Sequence, residues 1–261
     1  MSATVEMTSR ADAVDAATAE LSALIDDVRA LTSEDFRSPT DCAGWTVRDV
    51  VAHLTGAADE AVHPMVLVRH MVTARTRLRG SALADALTAQ QIADRAPTSD
   101  DEVVAELVAL TPKAPAARAR VPGLIRRRAL PDPAALPGDT LGYLLDVTYT
   151  RDVWMHRVDI ARATGRAMHD SGAEATIVGQ LVRDLQRGWS GAPFRLVLTG
   201  RVEGTWRVGA ADAAPTIAVD CVSLFRLLSG RSDETALVDD DSTERQQATV
   251  ARQLRDHRIL F

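Results

Sequence analysis

The stretch from Tyr143 to Thr164 contains neither proline nor glycine and is bounded by Gly142 and Gly165. Nothing in it breaks backbone hydrogen bonding, so it predicts one long helix. Read from Leu141, the residues Leu141, Leu145, Tyr149, Val153, Ile160 and Ala163 recur at helical spacing and share one side. Asp152 and His156 fall in the middle of that same side. Two side chains four residues apart on a helix stand one above the other, with Cβ atoms roughly 5–6 Å apart. A carboxylate buried there is costly unless it is paired or coordinates a metal. Asp152-x-x-x-His156 is therefore either an internally satisfied hydrogen-bonded pair or two thirds of a metal site, and both readings stand at this point.

The segment before this stretch reads as further helices. Residues 9 to 32 carry the stripe Val14, Leu21, Leu24, Ile25, Val28 and Leu31. A turn-rich connector, Ser38 to Trp45, leads into Thr46-Val47-Arg48-Asp49, which has the form of a capping box. It opens a second helix with Val47, Val50, Val51, Leu54 and Ala58 as its core stripe. His53 sits on the shoulder of that stripe beside Gly56 and Ala57, small neighbours that leave room next to the imidazole. Helical spacing resumes over Val66–Leu78 and from Asp100 to about Val121, with Pro112 and Pro115 breaking the latter run. Arg126-Arg127-Arg128 and then Pro131, Pro133 and Pro137 mark a solvated loop before the long helix. Four principal helices joined by loops give the pattern of a bundle.

After Gly165 the periodicity changes. Residues 172–188 read as a helix, and 194–199, 205–208 and 216–220 as strands, the first two about a Gly200–Gly204 turn. A helix ending near Ser229-Gly230 and a polar helical tail from Ser242 to Asp256 complete the chain. The fold class is α+β, with a helical unit over 1–168 and a small mixed unit over 169–261.

At 261 residues, 46% hydrophobic and 25% charged, the chain is an ordinary globular protein. Its net charge of −6 argues against nucleic acid or anionic membrane as a partner. Acidic residues from Glu6 to Asp27 exclude a signal-peptide core, and no uncharged apolar run approaches membrane-spanning length. Cys42 and Cys221 lie far apart with no metal-ribbon spacing, as expected of reduced thiols in the cytoplasm.

Two candidate ligands on one helix and a third, His53, on another are how bundles build metal sites. Two imidazoles and one carboxylate leave a divalent metal with open positions, which for zinc means a catalytic site. Nucleophile-elbow, dinucleotide and P-loop motifs are absent from the sequence. Such a metal could activate bound water, as in a hydrolase, or a coordinated thiol. The same residues could instead serve a non-catalytic small-molecule or metal-binding regulator.

Residues 40–54, Thr-Asp-Cys-Ala-Gly-Trp-Thr-Val-Arg-Asp-Val-Val-Ala-His-Leu, resemble the N-terminal signature of the mycothiol-dependent maleylpyruvate isomerase family, a branch of the DinB-like four-helix metalloenzymes. Residues 151–161 resemble its second motif, and Phe225 to Arg231 the end of its sterol-carrier-like C-terminal domain. The resemblance implies His53, Asp152 and His156 as ligands to a divalent metal, usually zinc. It also implies a thiol-dependent transferase or isomerase, with mycothiol as a thiol cofactor activated on that metal, a small electrophilic substrate, and Arg231 as a substrate-binding cation facing the cleft. The family pattern carries glutamate where this chain has Asp152, whose arm is one methylene shorter.

Overall fold

The computed structural model describes residues 5–77, 82–130, 136, 138–210, 214–231 and 244–259. Its helices are α1 (Arg10–Arg29), α2 (Val47–Val62), α3 (Pro64–Arg77), α4 (Leu83–Arg95), α5 (Asp100–Leu110), α6 (Ala114–Ala119), α7 (Gly123–Arg126), α8 (Leu141–Tyr143) and α9 (Tyr149–Thr164). Then follow α10 (Glu174–Gly188), strands β1 (Phe194–Thr199), β2 (Gly204–Val208) and β3 (Thr216–Asp220), α11 (Cys221–Leu228) and α12 (Glu244–Asp256). The architecture is α+β. Pro131, Pro133, Pro137, Leu78 and the start of the tail at Ser242 lie outside the described residues. No described helix is long and apolar enough to cross a membrane.

The bundle core is built by α1, α2, α5 and α9 through Leu21, Leu24, Val28, Val47, Val50, Val51, Leu54, Val103, Leu107, Val153 and Ile160. Pro112 does end the α5 run: a short 3-10 turn, Thr111–Lys113, separates α5 from α6. Periodicity did not single out α4, for a physical reason. Its buried residues are Ala86, Gln91 and Arg95, so its inner face is polar. Val14, expected in the α1 stripe, is only half-buried, and Ala13, Ala16 and Ala17 line that turn instead.

In the C-terminal part β1 lies between an antiparallel β2 and a parallel β3. Gly200 makes the β1–β2 turn at φ +86, and a Cβ there would stand 2.1 Å from Asp220 Oδ2. The apolar side of the sheet is covered by α10, α11 and α12 through Leu181, Leu185, Leu224, Phe225, Val250 and Leu254. Trp154, Met155 and Val158 of α9 belong to this second core, while Val153 and Ile160 belong to the first. The central helix is therefore buried nearly all round rather than on one stripe.

The expected stripe also fails at its start. Leu144–Thr148 forms a π-helical turn between α8 and α9, and Leu141 and Leu145 are only half-buried. A π turn inserts extra backbone per turn, so side chains before and after it fall out of phase. Val147 and Thr148 take the inward positions instead.

A buried ion cluster ties α9 to α1. Arg157 donates to Asp27 from Nε at 2.6 Å, to Glu20 from Nη1 at 2.5 Å and to the His169 carbonyl at 2.6 Å. Removing one partner of such a cluster leaves an uncompensated buried charge. Arg157→Ala is expected to destabilise the protein by about 3–5 kcal/mol, read as a lower midpoint in urea unfolding.

Candidate metal centre

The local sequence explains how each side chain reaches the site. Thr46 caps α2 and forms the expected box: its hydroxyl accepts from Asp49 N at 3.3 Å, and Asp49 Oδ2 accepts from Thr46 N at 2.8 Å. This fixes where α2 begins and hence the direction of His53, two turns in. The expected shoulder position of His53 is in fact buried, because α4 packs over it. On α9, Asp152 and His156 stand one turn apart, and the connector carrying Cys42 and Trp45 closes the open side.

The three side chains meet. His53 Nε2 lies 3.3 Å from Asp152 Oδ2, and His156 Nε2 lies 3.4 Å from Asp152 Oδ1. One ligand-type atom from each falls within 4.8 Å of the others. The two rings meet edge to face with centroids 5.1 Å apart, and Trp45 stacks on His156 at 5.9 Å. Asp152 has no arginine hydrogen-bonded to it among the described residues; its contacts are the two imidazoles.

The outer nitrogens of both rings are already engaged. His53 Nδ1 donates to Gln91 Oε1 at 2.7 Å. His156 Nδ1 donates to Asp159 Oδ2 at 3.0 Å. Asp159 in turn accepts from Arg231 Nε at 2.9 Å and from the Cys42 thiol at 3.3 Å. Arg226 donates to Asp41 at 2.8 Å and stands 3.8 Å from Asp159. Thus Arg231 comes from the C-terminal part to the back of His156, joined to it through one carboxylate.

Electrostatics follow from this geometry. Burial would raise the Asp152 carboxyl, but the His156 charge and the bond to His53 outweigh it and hold it well below the usual carboxylate range. Asp159 is likewise lowered against its burial, by His156 and Arg231. Burial pulls the His53 imidazolium down, yet its bonds to Asp152 and Gln91 prevail and its pKa is raised. Burial, reinforced by the Asp159 charge, pushes the Cys42 thiol up to about 12.

Sequence reading missed Gln91 because the helix that carries it has no apolar periodicity. Asp159 was legible in principle, three residues beyond His156 on the same helix. Cys42 and Trp45 come close only through the fold of the connector. The arginine run has no shared role: Arg126 is buried against Asp146 and the Arg118 carbonyl, while Arg127 and Arg128 are exposed.

Residues 15–161 match the model of the mycothiol maleylpyruvate isomerase N-terminal domain. No curated protein sequence matches the chain. Among solved structures, the crystal structure of a mycothiol-dependent maleylpyruvate isomerase superposes with a TM-score of 0.57 at 12% identity, covering 86% of this chain and 90% of that one. A histidine-to-alanine mutant of such an isomerase gives the same values, TM-score 0.57 and 12% identity. At that identity the likeness concerns the fold.

Gly56 is what lets α4 bring Gln91 to His53. A Cβ on Gly56 would lie 2.5 Å from Gln91 Cβ and 3.1 Å from Arg95 Nη1. Inside a helix, glycine to alanine ordinarily stabilises by about 1 kcal/mol. Here Gly56→Ala is expected to lower the thermal midpoint instead, because the added methyl drives Gln91 and α4 away from α2, measurable by thermal unfolding.

Proposed function

The chain belongs to the mycothiol maleylpyruvate isomerase family through its N-terminal domain, and on that premise we propose that it is a divalent-metal-dependent, thiol-using isomerase or transferase acting on a small electrophilic acid. The observation that supports this most is the orientation of the two imidazoles. Each commits Nδ1 to a fixed acceptor, Gln91 or Asp159, and turns Nε2 toward the Asp152 carboxylate. Such outer-nitrogen bonds set the tautomer and aim of metal-ligating histidines. The raised His53 pKa lets Nε2 carry a second proton toward that carboxylate, and a divalent cation held there would take the place of that proton.

The donor set suits a divalent ion, with His53, Asp152 and His156 as the residues that would hold it and zinc as the ion we favour. When bound, the ion and mycothiol would supply a thiolate at neutral pH, a nucleophile able to add to and leave a conjugated double bond. The chain's own groups have definite parts. Gln91 and Asp159 hold the imidazole protons at Nδ1. Asp152 stays ionised throughout the working pH range. Trp45 shields His156 from water. Arg231, kept beside the site by Asp159, lends positive potential for an acidic substrate. Cys42 remains protonated at neutral pH, which supports a nucleophilic thiol brought from outside the chain.

On this reading residues 1–168 carry the metal and residues 169–261 complete the cleft with Arg231. A cytoplasmic setting belongs to the same proposal, since both cysteines are free.

Protein purified without chelator is expected to hold close to one equivalent of divalent metal by elemental analysis. His53→Ala and His156→Ala are expected to lose it, and Asp152→Glu to keep it. Turnover of maleylpyruvate by the loaded protein is expected only when mycothiol is added. Metal retained in both histidine variants would refute the site. Turnover without thiol would point to metal-activated water and a hydrolase.

A further inference from the structure

Arg118 on α6 is buried, 5% exposed. Its Nη2 reaches the Ala57 carbonyl only at 3.5 Å, the outer limit of a hydrogen bond. Its guanidinium lies over the Tyr149 ring, 4.2 Å from the centroid. Nε and Nη1 have no hydrogen-bond partner among the described residues.

That makes Arg118 unlike the other deeply buried arginines. Arg95 holds Glu106 and Asp59, Arg126 holds Asp146, Arg151 holds Asp184, Arg157 holds Glu20 and Asp27, and Arg226 holds Asp41. No carboxylate reaches Arg118 within ion-pair distance among the described residues. A guanidinium cannot shed its charge by deprotonation, so it must find acceptors or bear the cost of their lack. Asp152 and Glu60 are near enough to act on its charge without bonding it. Both have other partners: Asp152 the two imidazoles, Glu60 the buried His70 at 2.6 Å.

Its location narrows what an added acceptor would be. Ala57 lies one turn beyond His53 on α2, and Tyr149 lies one turn before Asp152 on α9. One turn is about 5.4 Å of rise. A small molecule with its reacting carbons near His53 and Asp152 would extend a group a few bonds long to Arg118. The Tyr149 face below the guanidinium leaves its edges as the donor surfaces. The Nε–Nη2 edge and the Nη1–Nη2 end each include a nitrogen that has no partner among the described residues, and each matches a carboxylate.

We propose that Arg118 is the carboxylate anchor of the substrate pocket, binding one carboxylate of a small acid whose reactive carbons lie toward His53 and Asp152. The inference rests on the reading of that centre as the reacting site, but carboxylate binding is measurable without turnover. Arg118 is a binding and positioning residue, separate from Arg231, which bonds Asp159 on the far side of His156.

The probe is maleate, titrated calorimetrically into the full-length protein, both metal-loaded and chelator-treated, with dimethyl maleate as the uncharged control. Maleate is expected to bind both forms, and the diester at least tenfold more weakly. Arg118→Gln is expected to lose at least tenfold in maleate affinity with its metal stoichiometry unchanged. Arg118→Lys, which keeps the charge but not the planar donors, is expected to recover only part. If Arg118→Gln does not fold, the lysine variant decides: wild-type affinity in it overturns the proposal. Absence of maleate binding in the wild type, equal affinity for the diester, unchanged affinity in a folded Arg118→Gln, or unfolding of both variants would each overturn it too. Metal content separates the two ideas: loss of the metal site with maleate binding intact refutes the proposed centre and leaves the anchor standing.

Discussion

The Asp152 carboxylate sits inside a helix bundle, and much of the surrounding structure can be understood as a response to that charge. An ionised carboxylate in an apolar interior is tenable only with strong local compensation. Here each oxygen faces one imidazole, at 3.3 and 3.4 Å. The imidazoles can serve only if their rings are held at the right angle. Gln91 and Asp159 hold them, so a polar residue on α4 and a second buried carboxylate on α9 become necessary. Asp159 then needs its own cation, which Arg231 supplies. One buried charge thus recruits groups from α2, α4, α9 and the segment after α11.

The same logic explains why α9 is unusually polar for so buried a helix. Arg151, Arg157 and Asp159 each face a different neighbour: Asp184 on α10, Glu20 and Asp27 on α1, and Arg231 beyond α11. Between them Val153 and Ile160 pack into one core and Trp154, Met155 and Val158 into the other. A helix gripped on every side by charge pairs of fixed geometry has little freedom to rotate or slide. That rigidity is what a set of converging side chains requires, since small displacements of a supporting helix move every side chain on it.

The fold class was legible because apolar spacing reports packing. The α2 stripe, the capping box at Thr46, the α10 stripe and the three strands all follow from periods of 3.6 or 2. What escaped was polar. The inner face of α4 is alanine, glutamine and arginine, so its periodicity is invisible on a hydrophobic scale, and Gln91 went with it. The π turn at Leu144–Thr148 escaped because backbone phase slips leave no composition mark. Leu141 and Leu145 look in register with Val153 on paper and are not in space. Of the site, the residues on recognisable helices were within reach, His53, Asp152 and His156. Cys42, Trp45 and the role of Asp159 depended on how a connector folds back.

The contacts of Asp152 bear on its short arm. An aspartate in a regular helix projects its carboxylate close to the helix axis, and a glutamate reaches one methylene further. Here the carboxylate already spans both imidazoles, Oδ1 toward His156 on its own helix and Oδ2 toward His53 across the bundle. Close packing of α4 against α2 brings His53 to this carboxylate. Gly56 admits α4 against α2, Gln91 presses on the outer nitrogen of His53, and the imidazole meets the aspartate where it stands. The shorter acid therefore meets both imidazoles because the helices pack closely around it.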